Sequence, residues 1–235
     1  MPATDEYDVN FCFPVKNLEN ERVKLTPFIP SEHLDKFFAL PSPSYEYFPW
    51  VPYLTAEQFN ASLIEGRIHP NPGCVLFAIY DKTKASNADG ALAGVIGFTD
   101  ASAANLQAEV AFVMISPPFQ RTHVTSNAIG LLLHYALDLP SEGGLGLRRV
   151  AWKASPANAA SVKAAERMGF RREGLLRWHW VLPEGKETGG NGRERRAGDP
   201  RPQALGRDTM VLSLCWDDWE SSGRARVDAV MARTA

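Results

Sequence analysis

Cysteine is scarce in this 235-residue chain, and Cys12, Cys74 and Cys215 stand too far apart to form a paired motif. Their spacing argues against a disulfide framework and a Cys-x-x-Cys zinc or redox site, and it fits a reducing, intracellular, cytoplasmic setting. Histidine offers no metal spacing either. His123 and His134 lie eleven residues apart, and His33, His69 and His179 are isolated, so no metal is expected. No apolar run approaches the roughly 18 residues that a membrane span needs. The first ten residues carry Asp5, Glu6 and Asp8 with no apolar stretch behind them, unlike a secretory leader. The Gly-x-Ser-x-Gly elbow of a serine nucleophile is missing. There is also no excess of positive charge: the net charge is −2, which does not favour nucleic acid or an anionic membrane as partner. Arg193, Arg195, Arg196, Arg201 and Arg207 make a short basic stretch, but no aromatic residues are interleaved with them for base stacking.

What is present describes a globular protein, with 45% hydrophobic and 22% charged residues. The length suits one domain with loops and a tail. Residues 1–22 read as an extended lead-in and residues 23–219 as the domain. Residues 183–207, rich in glycine, proline and arginine, form a flexible insertion or hairpin tip within it, and residues 220–235 are a tail. Residues 23–26 suit a first edge strand. Ser31 can cap a helix through Phe38, and Thr55 can cap the next, with Gln58 at its third position. Between them lies a proline-bound aromatic loop that holds Tyr45, Tyr47, Phe48, Trp50 and Tyr53.

Three apolar runs follow at 74–80, 91–99 and 106–115, joined by polar turns, and predict an antiparallel meander. After Pro117-Pro118 the period becomes helical over about 124–139, and a short strand follows at 149–153. A strand, a helix and another strand form a crossover, so the two strands should be parallel neighbours. A helix over 158–168 stops at Gly169, and strands at 170–182 and 208–215 pair across the insertion. A short helix at 216–220 then frays. The segment Phe119-Gln120-Arg121-Thr122-His123-Val124 stands at the start of the long helix, where backbone N–H groups and the helix dipole suit an anion. The alternative is an ordinary strand-to-helix turn.

Two blocks carry a resemblance. The first is Ala108-Glu109-Val110-Ala111-Phe112-Val113-Met114 with Phe119-Gln120-Arg121-Thr122-His123-Val124-Thr125-Ser126-Asn127-Ala128. The second is Asn158-Ala159-Ala160-Ser161 with Glu166-Arg167-Met168-Gly169-Phe170. In this order they resemble the GNAT superfamily of acyl-CoA N-acyltransferases, most closely the branch with ribosomal-protein N-terminal acetyltransferases. The resemblance covers roughly residues 23–219. It implies a mixed α/β fold with a central mixed sheet of about six or seven strands, flanked by about four or five helices. It also implies acetyl-CoA as cofactor and a small amine or a peptide N-terminus as acceptor, with direct transfer in a ternary complex. A non-catalytic acyl-CoA-binding protein is the alternative. Oligomeric state is unreadable.

By the same resemblance Gln120, Arg121, Thr122, His123, Val124 and Thr125 would hold the pyrophosphate. Phe112, Val113 and Met114 would line the pantetheine arm, and their N–H groups would polarise the thioester carbonyl. Asn158 would bond the pantetheine or merely cap its helix. Ser161 would reach the leaving sulfur or be a locally bonded serine. Glu109 would drain the acceptor's proton or be a structural carboxylate. The family usually has glycine where Arg121 and His123 stand and often alanine where Thr125 stands, and many members carry a tyrosine acid where this chain has Ala165. Tyr45, Tyr47, Phe48 and Trp50 would wall the acceptor side together with Glu109 and Trp178. Loop packing is the alternative for those aromatics.

Overall fold

The three central apolar runs become β3 (Val75–Asp81), β4 (Ala91–Ser102) and β5 (Gln107–Ile115), paired antiparallel in chain order. Every residue of β3 is buried, as its unbroken apolar run requires of a strand covered on both faces. The structure is a computed structural model that describes residues 7–50, 52–84 and 89–233.

β1 (Leu18–Glu19) and β2 (Val23–Pro27) extend the sheet on one side of the meander. On the other side come β6 (Arg149–Ala154), β8 (Gly206–Cys215) and β7 (Arg171–Val181), so the order is β1-β2-β3-β4-β5-β6-β8-β7. Among the described strands only β5 and β6 run parallel, as the crossover demands. The helices are α1 (Pro30–Phe38), α2 (Ala56–Phe59), which winds on more loosely through Asn60–Ile68, α3 (His123–Leu137) and α4 (Ala159–Arg167). α5 (Trp216–Asp218) continues through Trp219–Gly223 into α6 (Arg224–Met231). This is the expected mixed α/β fold, with an eighth strand because β1 pairs with β2.

Several details differ from expectation for local reasons. β2 is not the edge, since β1 covers it, and its Val23 and Leu25 are fully buried. α1 starts at Pro30 and not after Ser31, because the fixed φ of proline already suits the first helical position. The C-terminal helix runs on to Met231, because Val227 and Val230 are buried in the main core. Arg224 also reaches Asp138 at 2.6 Å, which ties α6 to the end of α3.

One face of the sheet is covered by α3, α4 and α6, and the other by α1, α2 and the aromatic loop. Phe59 is fully buried on that second face and touches the rings of Phe28, Phe37, Phe38 and Tyr53. Burial of a side chain of this size contributes about 1.5–3 kcal/mol.

β5 changes face part-way along. Ala108 and Val110 join the α3-side core, but Phe112 and Met114 join the opposite one. Strict alternation would keep all four on one side. The reason is a bulge: Gly97 pairs with Ala111 and Val95 with Met114, so β5 carries one more residue than β4 there. Phe112 sits in it with φ 56°. Beyond the bulge, Gly94 lets β4 lie against β5, since a Cβ at Gly94 would stand 2.2 Å from the Met114 carbonyl oxygen. Gly94→Ala should therefore cost about 1–3 kcal/mol, read as a lower midpoint in urea denaturation.

Candidate active site

β5 and β6 pair only from Gln107 with Arg149 to Val110 with Trp152. Past that point the strands part, at the place where Phe112 bulges. The β6-facing amides and carbonyls of β5 beyond Val110 therefore have no strand partner among the described residues. Unpaired backbone groups beside a cleft suit an extended ligand that bears amides of its own.

The same end of the sheet leads through Pro117–Phe119 into α3. Thr122 caps α3, its hydroxyl accepting from the Val124 amide and donating to the Phe119 carbonyl. Val124 is fully buried and anchors the first turn in the core. The amides of Arg121, Thr122 and His123 make no hydrogen bond among the described residues. Arg121 takes φ 59°, a left-handed conformation that a glycine would adopt without strain. Its side chain is exposed. His123 turns away from the free amides: its Nε2 lies 3.1 Å from Oδ1 of the buried Asp81, at the end of β3. That oxygen also accepts from the amide and hydroxyl of Thr83. The two side chains that replace glycines thus leave the amides open, and the turn fits a diphosphate.

Glu109 lies on the face away from α3 and is 8% exposed. It lines a cavity of about 200 Å³ with Asp100, Ala151, Lys153 and Val211. Burial pushes its carboxyl above the usual range, further than Lys153 pulls it down. The Lys153 ammonium is 2.6 Å from Glu109 Oε2 and 2.9 Å from Asp100. Glu109 and Asp100 thus share one cation. Burial alone would lower the Lys153 ammonium, but Glu109 and Asp100 hold it above its ordinary value.

Residues 22–171 match the family model of the acetyltransferase (GNAT) domain. The chain belongs to the GNAT acetyltransferase family. Among solved structures, this GNAT chain is similar to a GCN5-related N-acetyltransferase from Brucella melitensis. Identity is 26% and the TM-score 0.72, over 93% of this chain and 86% of that one. It is also similar to a probable acetyltransferase from Chromobacterium violaceum at 25% identity and a TM-score of 0.68, over 94% and 96% of the two chains. A Vibrio cholerae protein described as a ribosomal-protein-serine acetyltransferase shares the fold at 15% identity and a TM-score of 0.58, over 85% and 97%. At that identity the likeness reaches the fold and not the branch. No curated protein matches this chain in sequence.

The remaining predicted residues of the GNAT chain divide between the cleft and its surroundings. Phe112 and Met114 are buried under the aromatic loop, and Val113 packs on the α3 side. Gln120 donates to the Ile115 carbonyl and closes the turn. Thr125 is half-buried in the first turn of α3. Asn158 caps α4 by accepting from the Ser161 amide. Ser161 Oγ accepts from the buried Trp152 indole at 3.1 Å, which leaves its proton free to donate. Tyr45 is buried, and burial pushes its phenol up to about 12, so it packs as a neutral wall. Phe48 stacks on Trp50, and Arg67 lies over the rings of both Trp50 and Phe112. Tyr47 is half-buried. Trp178, at φ 54° in a second bulge, packs against Gly206.

Sequence reasoning missed Asp81, Lys153 and Asp100. Each is an ordinary charged residue at a strand end, and only long-range pairing brings it to the site. No described helix is long and apolar enough to cross a membrane. Relief of the left-handed strain should make Arg121→Gly more stable by about 1 kcal/mol. Loss of the partner of Asp81 should make His123→Ala less stable by about 1–3 kcal/mol. Thermal melts of the two variants should move in opposite directions.

Proposed function

We propose that this chain transfers an acetyl group from acetyl-CoA to a primary amine, by direct attack with both bound at once. The acceptor is a small amine or a peptide N-terminus. The observation that carries the reading is the parting of β5 from β6 beside a helix start whose first amides are free. Acetyl-CoA supplies an activated acyl carbon: the acceptor nitrogen bonds to it as the carbon–sulfur bond breaks.

The residues of the chain divide the remaining work. Gln120, Arg121, Thr122, His123, Val124 and Thr125 hold the diphosphate, chiefly through backbone amides at the positive end of α3. The unpaired edge of β5 from Phe112 to Met114 seats the pantetheine amides and offers N–H donors to the carbonyl oxygen. Asn158 holds the wall of the cleft through its cap on α4. Glu109 accepts the proton of the acceptor ammonium, directly or through a water. Its depth in the cavity raises its proton affinity towards that of a useful base, and Lys153 keeps the ionised form accessible. Ser161 donates its free hydroxyl proton towards the departing sulfur. Position 165 is a fully buried alanine, which has no proton to give.

Release of CoA thiol on mixing with acetyl-CoA and an amine panel tests the reading. Turnover supports it, and CoA binding without turnover across the panel would make the chain a non-catalytic binder. Glu109→Gln should lower kcat/KM about 100-fold or more while the melting temperature holds or rises, because a desolvated carboxylate is removed. The pH profile gives a second check. A carboxyl with a raised pKa is lost as a base at a higher pH than an ordinary glutamate, so the acid limb of kcat/KM should lie above the usual carboxylate range. The limb should disappear in Glu109→Gln.

A further inference from the structure

Arg207 is a buried cation with no counter-ion among the described residues. It is 6% exposed. Its Nη1 donates to Thr209 Oγ1 at 2.8 Å, and its Nε is buried with no partner among the described residues. No carboxylate among the described residues lies within ion-pair distance of it. The adjacent acid, Asp208, is turned to the other side of β8, where it takes the Trp178 amide, the Asn191 side chain and Arg193. Burial, with no neighbouring carboxylate to offset it, lowers the Arg207 guanidinium from its ordinary value. A desolvated, uncompensated charge costs several kcal/mol, so it is expected where a ligand completes it.

Its position says which ligand. Along β8 the side chains of Arg207, Thr209 and Val211 fall on one face, and Val211 lines the Glu109 cavity opposite Lys153. Arg207 therefore continues the Glu109 face of the sheet, with its guanidinium turned towards Thr209 and so towards that cavity. Thr209 Oγ1 also lies 3.0 Å from His179 Nδ1. His179 is held below its ordinary pKa by burial and by the charges of Lys153 and Arg207. Beyond Arg207, Lys186 has its ammonium fixed by the carbonyls of Tyr45 and Trp50, which places a second cation at the aromatic wall. One face thus carries the Glu109 carboxylate at one end and, further along, a guanidinium with no acid partner among the described residues. Thr209 and Val211 alone are roughly 7 Å apart.

We propose that Arg207 binds an anionic group on the acceptor, so the natural acceptor is an amine that bears a carboxylate several bonds away. The inference deepens the acetyl-transfer reading and rests on it for the amine end at Glu109. The anion end rests on Arg207 itself. A free peptide and an ω-amino acid both fit; an uncharged monoamine does not. The one other source of an anion is a phosphate of the cofactor.

Matched probes separate these cases: Ala-Phe against Ala-Phe amide, and 6-aminohexanoate against hexylamine. Each is titrated by calorimetry into the protein with and without CoA, then assayed by thiol release with acetyl-CoA. The wild type should favour each free acid by about ten-fold or more. Arg207→Gln should erase that preference through KM with kcat largely kept, Arg207→Lys should restore part of it, and CoA affinity should not change. Equal binding of acid and amide by the wild-type protein would overturn the proposal without needing any variant. So would a loss of CoA affinity in Arg207→Gln with the acid preference intact, which would give the guanidinium to a cofactor phosphate. Calorimetry reads the carboxylate whether or not transfer occurs. Binding of free acids without thiol release would contradict the transferase reading alone, and transfer without acid preference would contradict this inference alone.

Discussion

The extra residue in β5 at Phe112 is the constraint on which the site depends. A regular β5 would place the side chains of Phe112 and Met114 in the α3-side core and let β6 continue alongside. The bulge reverses both. It turns those side chains under the aromatic loop, and pairing with β6 ends two residues earlier, at Val110. The parting of the strands then aims an unpaired backbone edge into a cleft whose far end is the start of α3. The cost is a non-glycine residue at positive φ, of the order of 1–2 kcal/mol. The surrounding packing keeps it in place: Gly94 lets β4 close on β5, and Arg67 lies over the Phe112 ring.

A second constraint acts at the turn before α3. In place of glycines, the chain holds Arg121 left-handed and ties His123 to Asp81. Each substitution keeps the amides open in a different way. Arg121 accepts strain and sends its side chain to solvent. His123 sends its ring towards the end of β3. The open backbone of the turn is therefore kept although the residue types are not. Such a turn has to be judged by its hydrogen bonds and dihedral angles, and its letters alone mislead.

Much of the fold was legible in the chain. The polar turns between 80 and 106 announce the meander, and the change of period after Pro117-Pro118 announces the crossover to a parallel strand. Gly169, at φ 97°, ends α4 as expected. The strain and the long-range contacts were not legible. Nothing in Ala111-Phe112-Val113 marks a bulge, since no glycine or proline stands there. Asp81 and His123 meet across 42 residues, and Lys153 meets Asp100 across 53. Arg207 reads in sequence as the last member of a basic stretch, yet folding separates it from the others. Arg193 pairs with Asp208 and Arg195 bonds Gln203, while Arg207 alone goes into the sheet without an acid. The C-terminal helix was hidden because Val227 and Val230 are too few to show a period before the core that buries them is known.

The cleft has two sides with different logic. On the α3 side it offers backbone amides, which suit a ligand whatever the nearby side chains. On the Glu109 side it offers charged side chains in a desolvated setting. The central claim belongs to the first side: the free amides of Arg121, Thr122 and His123 grip a diphosphate. Amide-resolved NMR during titration with CoA tests it most directly. The account predicts that the N–H signals of these three residues move together and saturate with the bound cofactor, and that amides on β1 and β2 stay still. If CoA bound with those three signals unmoved, or failed to bind at all, the account would be contradicted.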